Sequence, residues 1–143
     1  MRRIRLDDAI KEHIERELYT YPATKREIAQ RRAHLIAGGD GRDPDEPSVR
    51  RRDAVAWSDP THYAGTALAE DRRLRELGRI VAAIEDTYHH PALPADVREV
   101  MRRWYWECAP AHAIAEGLCV SRETVYRLRK AGVVAVAARL GWL

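Results

Sequence analysis

Residues 114–130, IAEGLCVSRETVYRLRK, alternate small or apolar residues with basic ones at a spacing typical of two short helices. Where two helices cross around a short turn, the first needs a small residue beneath the second, and Ala115 occupies that position. The other places where such helices would touch are apolar: Ile114, Leu118, Val120, Val125 and Leu128. The stretch therefore predicts a helix-turn-helix, to which a helical hairpin that serves only for packing is the alternative.

Three single residues of the turn and of the second predicted helix are also informative. Ser121 precedes that helix, where its hydroxyl would accept hydrogen bonds from free amides of the first turn. Such turns often use glycine where the backbone becomes left-handed, whereas this sequence has Cys119 there, at a cost of about 1 kcal/mol. Gly132 either ends the second helix or lies within it, and the sequence leaves both open.

The outer face of the second predicted helix carries polar, basic and aromatic side chains. Groups of this kind meet base edges and phosphates in the major groove of DNA. The candidate DNA-binding residues are Ser121, Arg122, Glu123, Tyr126, Arg127, Arg129 and Lys130. Of these, we expect Arg129 to reach the DNA backbone rather than a base edge.

The overall charge suits an anionic partner. The 143 residues carry a formal net charge of +3, and the sequence pI is about 9.1. Basic residues outnumber acidic ones in residues 1–36 and 96–143 but not between them. No apolar run reaches the roughly 18 residues that cross a bilayer, and the basic start turns charged too early for a secretory signal. We therefore expect a cytoplasmic protein without membrane contact.

Two long helices are predicted before the helix-turn-helix. Residues 1–36 form the first, with Ile14, Tyr21, Ile28 and Leu35 recurring every seven residues. Pro22 should kink or split this helix.

The second long helix spans residues 62–90. Its apolar stripe consists of Ala67, Leu74, Leu77, Val81, Ile84 and Tyr88. Because neither stripe can stay in contact with water, the two helices are expected to pair as an antiparallel hairpin.

The predicted hairpin is connected by residues 37–61, which are rich in Gly, Pro and charge and lack periodicity. This composition predicts a flexible loop. Its three consecutive basic residues, Arg50, Arg51 and Arg52, either contact phosphate or form a solvated surface.

The domain of residues 96–143 begins with a helix over residues 96–107. That helix should bury Val97, Val100, Met101 and Trp104, which leaves Tyr105 and Trp106 unable to be buried together beside Trp104. The predicted fold class is thus all-α, an N-terminal helical hairpin followed by a C-terminal helix-turn-helix.

Residues 96–130, DVREVMRRWYWECAPAHAIAEGLCVSRETVYRLRK, resemble the fourth region of bacterial sigma factors. The whole chain resembles the RinA-like and ArpU-like phage transcriptional activators, in the segments IERELYTY (14–21), KREIAQRRAHLI (25–36), DRRLRELGRIVAAIEDTY (71–88), RRWYWE and VSRETVYRLRK. The resemblance implies a sequence-specific double-stranded DNA-binding activator of late genes of phages or prophages, acting in a bacterial host, with RNA polymerase as a possible partner.

Two other functions stay open. Small terminase subunits of phages also join a helix-turn-helix to helical oligomerisation segments, and an adaptor could use its sigma-like region to bind RNA polymerase. We also expect a homodimer, with the stripe within residues 67–88 or the apolar tail of residues 133–143 as the interface, because one such module buries little DNA.

No enzyme, metal or cofactor is expected. The sequence has no Gly-rich phosphate loop, nucleophile elbow or paired acidic motif. Cys108 and His112 have ligand chemistry and suitable spacing, but Pro110 breaks the helix that would bring them together.

Overall fold

The computed structural model describes the backbone of residues 5–37 and 60–143 and the side chains of residues 5–35 and 72–143. Within these ranges the regular structure is entirely helical, which confirms the all-α prediction. The five α-helices are α1 (Asp8–Ala37), α2 (Pro60–Tyr88), α3 (Ala95–Met101), α4 (Ala111–Leu118) and α5 (Arg122–Leu140), and a π-helical segment (Arg102–Trp106) follows α3 directly. The predicted loop of residues 37–61, with Arg50, Arg51 and Arg52, lies outside the described residues except at its two ends.

Helix α1 continues through Pro22, where the sequence predicted a kink or a break. A proline inside a helix cannot donate to the carbonyl four residues earlier, which here belongs to Leu18. The indole Nε1 of Trp106 donates to that carbonyl oxygen at 3.1 Å instead. The helix is therefore preserved because a side chain distant in sequence supplies the missing donor.

The described chain divides into two compact units. The first contains the described part of Met1–Lys25 together with Arg79–Leu143, and the second contains the described part of Arg26–Gly78. In the second unit Ile28 is buried, and the Glu27 carboxylate lies 2.9 Å from Arg31 and 3.8 Å from Arg73. Leu35, expected in the apolar stripe of the first helix, is exposed.

The core of the first unit combines residues from both ends of the chain. Helix α1 contributes Ile14 and Leu18, which are almost fully buried. The remaining buried members come from α2, α3, the π-helical segment and α5: Ile80, Ala83, Ile84, Val97, Met101, Tyr105, Val133, Val136, Ala137 and Leu140. The α1 and α2 segments contact each other here through Glu85, whose Oε1 accepts from the Tyr21 hydroxyl at 2.7 Å and lies 2.9 Å from Lys25 Nζ.

This core changes the expectation for an oligomer interface. Val133, Val136, Ala137 and Leu140 of the tail are buried inside the same chain, whereas Leu143 is exposed. Val81 and Ile84 of the second predicted stripe are buried as well. The buried members of the tail and of the second stripe thus pack within one chain, where α5 meets residues of α1 and α2.

Gly132 lies within α5, which settles the alternative that the sequence left open. A Cβ atom at this position would stand 2.8 Å from both Cγ and Sδ of Met101. The missing side chain therefore lets α3 approach α5 closely.

Candidate nucleic-acid interface

Helices α4 and α5 are joined by residues 119–121. Helix α4 follows Pro110, whose extended backbone conformation suits the residue before a helix. It ends at Cys119, which has left-handed backbone angles (φ 54°, ψ 43°), and the Val120 amide donates to the Ala115 carbonyl at 3.0 Å. The left-handed residue is therefore the non-glycine Cys119, as the sequence predicted, and the returning hydrogen bond closes the end of α4.

Ser121 caps α5. Its Oγ accepts from the Thr124 backbone amide at 3.2 Å and lies 2.9 Å from the Thr124 hydroxyl. This satisfies one of the amides that the first helical turn leaves free. The hydroxyl expected at a DNA contact thus also fixes where α5 begins.

The inner faces of α4 and α5 form a small apolar cluster of their own. Its buried members are Val100, Ile114, Ala115 and Val125, with Leu118, Val120 and Leu128 packed against them. All six apolar positions that the sequence assigned to the contact between the two helices lie in this cluster. Their burial fixes the rotation of α5 about its axis, and with it the set of side chains that faces outward.

The outward face of α5 carries five of the seven candidate DNA-binding residues, that is, all except Ser121 and Arg129. Arg122, Glu123, Tyr126, Arg127 and Lys130 are all exposed. Among the described residues, the three basic side chains Arg122, Arg127 and Lys130 make no ion pair or hydrogen bond. They are therefore free to bind phosphates or base edges without first breaking an internal contact.

Arg129 is placed differently from the sequence-based expectation. Its guanidinium donates to the Tyr105 hydroxyl at 3.2 Å, forms an ion pair with the Glu15 carboxylate, and lies 4.3 Å from the centroid of the Trp104 ring. A contact with the DNA backbone stays a prediction, and in this structure the guanidinium is engaged within the chain. The reason is that Glu15, which is more than a hundred residues away in sequence, offers a partly buried carboxylate beneath α5.

The Tyr105 hydroxyl lies between these two charged groups. It donates to Glu15 Oε1 at 3.1 Å and accepts from Arg129 Nε. Burial raises the pKa of Tyr105, and the nearby Glu15 charge acts in the same direction while Arg129 opposes it. The hydroxyl consequently stays protonated and keeps its role as a donor to the carboxylate.

The π-helical segment decides which of the three consecutive aromatic residues enters the core. Its wider turn is closed by the Glu107 amide, which donates to the Arg102 carbonyl at 3.1 Å. Tyr105 is 2% exposed, whereas Trp104, expected in the core, is only half-buried. The expectation assumed ordinary helical spacing, and the wider turn rotates residue 105 into the position expected for residue 104.

Arg102 and Arg103, which begin this segment, form ion pairs with Glu99 of α3. Glu99 Oε1 lies 2.6 Å from Arg102 Nη2 and 2.7 Å from Arg103 Nε. Hydrogen bonds from Arg102 and then from Arg103 lower the pKa of Glu99 to about 2. These arginines therefore differ from those of the outward face, for which no described side chain provides an acidic partner.

Sequence reasoning missed Glu15 and Tyr19 of α1 as residues connected to this surface. Tyr19 Oη accepts from Trp104 Nε1 at 2.7 Å, and Glu15 pairs with Arg129. No local signal could have identified them, because each partner lies far away in sequence.

Metal-binding clusters and helices that could span a membrane are both absent from the described residues. In residues 5–35 and 72–143, no three His, Cys, Asp or Glu side chains lie close enough together to hold a metal ion. Every described helix is too short or too polar to cross a membrane.

Comparison with protein-family models, with curated proteins and with solved structures finds no match to this chain. The resemblances seen in the sequence therefore remain predictions.

Proposed function

We propose that this chain binds double-stranded DNA in a sequence-specific manner and activates transcription of phage or prophage late genes. In this proposal α4 and α5 act as a helix-turn-helix, and the amino-terminal half of α5 enters the major groove, which is wide enough for one α-helix. Neither a catalytic step nor a cofactor is part of the proposal.

One observation supports DNA binding above all others. The outer face of α5 presents Arg122, Arg127 and Lys130, all exposed and without partners among the described residues, while Val125 on the inner face is fully buried. A helix fixed on its apolar side that presents unpaired guanidinium groups on the other fits a polyanion. Arginine can also form two parallel hydrogen bonds with the edge of a guanine.

The activator role rests on the resemblance of the whole chain to the RinA-like and ArpU-like phage activators, together with that of residues 96–130 to the fourth region of sigma factors. By that resemblance RNA polymerase is a further proposed partner, and the host cytoplasm is the proposed location. A homodimer remains a proposal too, because two half-sites about one helical turn apart would raise the affinity of a single module. Its interface would have to lie outside the buried members of the two apolar stripes.

The test of DNA binding is selection of bound sites from a pool of random duplexes. The wild-type chain should enrich one sequence, and the double variant Arg122→Ala, Arg127→Ala should lose that enrichment. Arg139→Ala is the matched control, since it removes an exposed arginine from the far end of α5 that pairs with Asp86 at 3.2 Å. Equal enrichment by the wild-type chain and the double variant would remove the contact residues from the proposal.

Two measurements separate activation from the other functions. A reporter driven by a promoter that carries the selected site should respond to the wild-type chain and not to the double variant. Light scattering should give a monomer or a dimer. A ring of eight or more subunits would instead favour genome packaging, and binding to polymerase without sequence preference for DNA would favour an adaptor.

A further inference from the structure

A series of contacts leads from the outward face of α5 to helix α1. It begins at Tyr126, which is 50% exposed and meets the Trp104 ring edge-on, with centroids 5.8 Å apart and planes at 66°. Trp104 in turn donates its indole N–H to the Tyr19 hydroxyl at 2.7 Å. An exposed candidate DNA contact thus rests on a tryptophan whose other end is held by α1.

Trp104 is held by more than this hydrogen bond. The Arg129 guanidinium lies over its ring at 4.3 Å, and Arg129 is itself anchored to Glu15. The ring of Tyr19 also packs edge-on against Tyr105, with centroids 4.9 Å apart. Two residues of α1, Glu15 and Tyr19, therefore fix the surface against which Tyr126 lies.

We propose that Tyr19 is a positioning residue for DNA recognition, acting through Trp104 to hold the ring of Tyr126 in the orientation that meets the duplex. This proposal rests on the proposed function, because it assigns Tyr126 to the DNA interface. A side chain ordered before binding loses less conformational freedom when the complex forms. If Tyr19 releases Trp104, Tyr126 has to be ordered at the moment of binding, and affinity falls.

The test removes single hydroxyl groups. Tyr19→Phe deletes the acceptor of the Trp104 indole but keeps the ring that packs on Tyr105, and Tyr19 is 46% exposed, so the fold should persist. Tyr21→Phe is the matched control, because it removes a hydroxyl from the same helix that donates to Glu85 instead.

Dissociation constants for the selected duplex are then measured with and without Tyr126→Ala. We expect Tyr19→Phe to weaken binding by about 2- to 10-fold when Tyr126 is present and to have no effect in the Tyr126→Ala background. Tyr21→Phe should have no effect in either background. An equal loss from Tyr19→Phe in both backgrounds, or no loss in either, would overturn the proposal.

Measurements on the free protein separate this proposal from DNA binding itself. In Tyr19→Phe the indole N–H resonance of Trp104 should move, and coupling constants should show a broader distribution of Tyr126 side-chain rotamers than in the wild-type chain or in Tyr21→Phe. If the wild-type chain binds no duplex, the proposed function fails. The positioning of Tyr126 fails separately if its rotamer distribution is the same in all three proteins.

Discussion

Arg127 and Arg129 lie two residues apart on α5 but should respond to truncation in opposite ways. Arg127 is exposed and has no partner among the described side chains, whereas Arg129 is paired with Glu15 and covers Trp104. Replacing Arg129 by alanine should therefore lower the stability of the fold. Replacing Arg127 by alanine should weaken DNA binding and leave the fold intact.

The size of the first effect follows from the burial of the ion pair. The side chains of Arg129 and Glu15 are 21% and 17% exposed. Breaking a fully buried pair costs about 3–5 kcal/mol, and a solvated pair contributes about 0.2–1 kcal/mol. Partial burial places Arg129→Ala between these limits, at about 2 kcal/mol, which lowers Tm by about 4–8 °C in a chain of this length.

The effect of Arg127→Ala on stability should stay within about 0.5 kcal/mol, since the side chain is exposed and forms no ion pair or hydrogen bond with the part of the chain that is described. Its effect on affinity should be about 1–3 kcal/mol, or roughly 5- to 150-fold. Arg129→Ala should weaken DNA binding by less than about 10-fold, through the loosened Trp104. It should not change the dependence of affinity on salt, because no counterion is released at that position.

The assays are thermal unfolding by circular dichroism and titration of the selected duplex at several salt concentrations, well below the lower Tm. Glu15→Gln serves as a second variant, since it weakens the same ion pair from α1 and leaves α5 unchanged. The reasoning is refuted if Arg129→Ala keeps the wild-type Tm and lowers the salt slope by about one, as expected for a lost phosphate contact.

Three further changes test the packing and electrostatics around α5. Gly132→Ala should lower the free energy of unfolding by about 1–3 kcal/mol, because the new methyl group overlaps Met101 of α3. Denaturant titration measures this loss. The control Gly78→Ala should show no such loss, because there is open space around Gly78. Cys119→Gly should raise the free energy of unfolding by about 0.5–1 kcal/mol by relieving a left-handed backbone, and a lower value would contradict the assigned strain. The pKa of Glu99 lies at about 2 in the fold and its ordinary value is 4.5; its contribution to stability is therefore present above pH 4.5 and lost as the pH falls towards 2. Urea titrations should accordingly show Glu99→Gln less stable than the wild-type chain at neutral pH, with the difference disappearing near pH 2.

Features that depend on neighbouring residues could be predicted before the structure was known. Apolar spacing placed Ala115 and Val125 on the inner faces of α4 and α5. Local backbone chemistry identified Ser121 as a cap and Cys119 as the left-handed residue. Each of these results depends on residues within a few positions of one another, and helical periodicity carries that information along the chain.

Pairing and burial that involve residues far apart in sequence could be seen only in the folded structure. Arg129 is paired inside the chain because Glu15 and Tyr105 meet its guanidinium, and α1 passes through Pro22 because Trp106 supplies the donor that proline lacks. Val133, Val136, Ala137 and Leu140 of the apolar tail enter the core for the same reason. A side chain's exposure and pairing depend on which elements pack against it, and periodicity within one helix does not encode that arrangement.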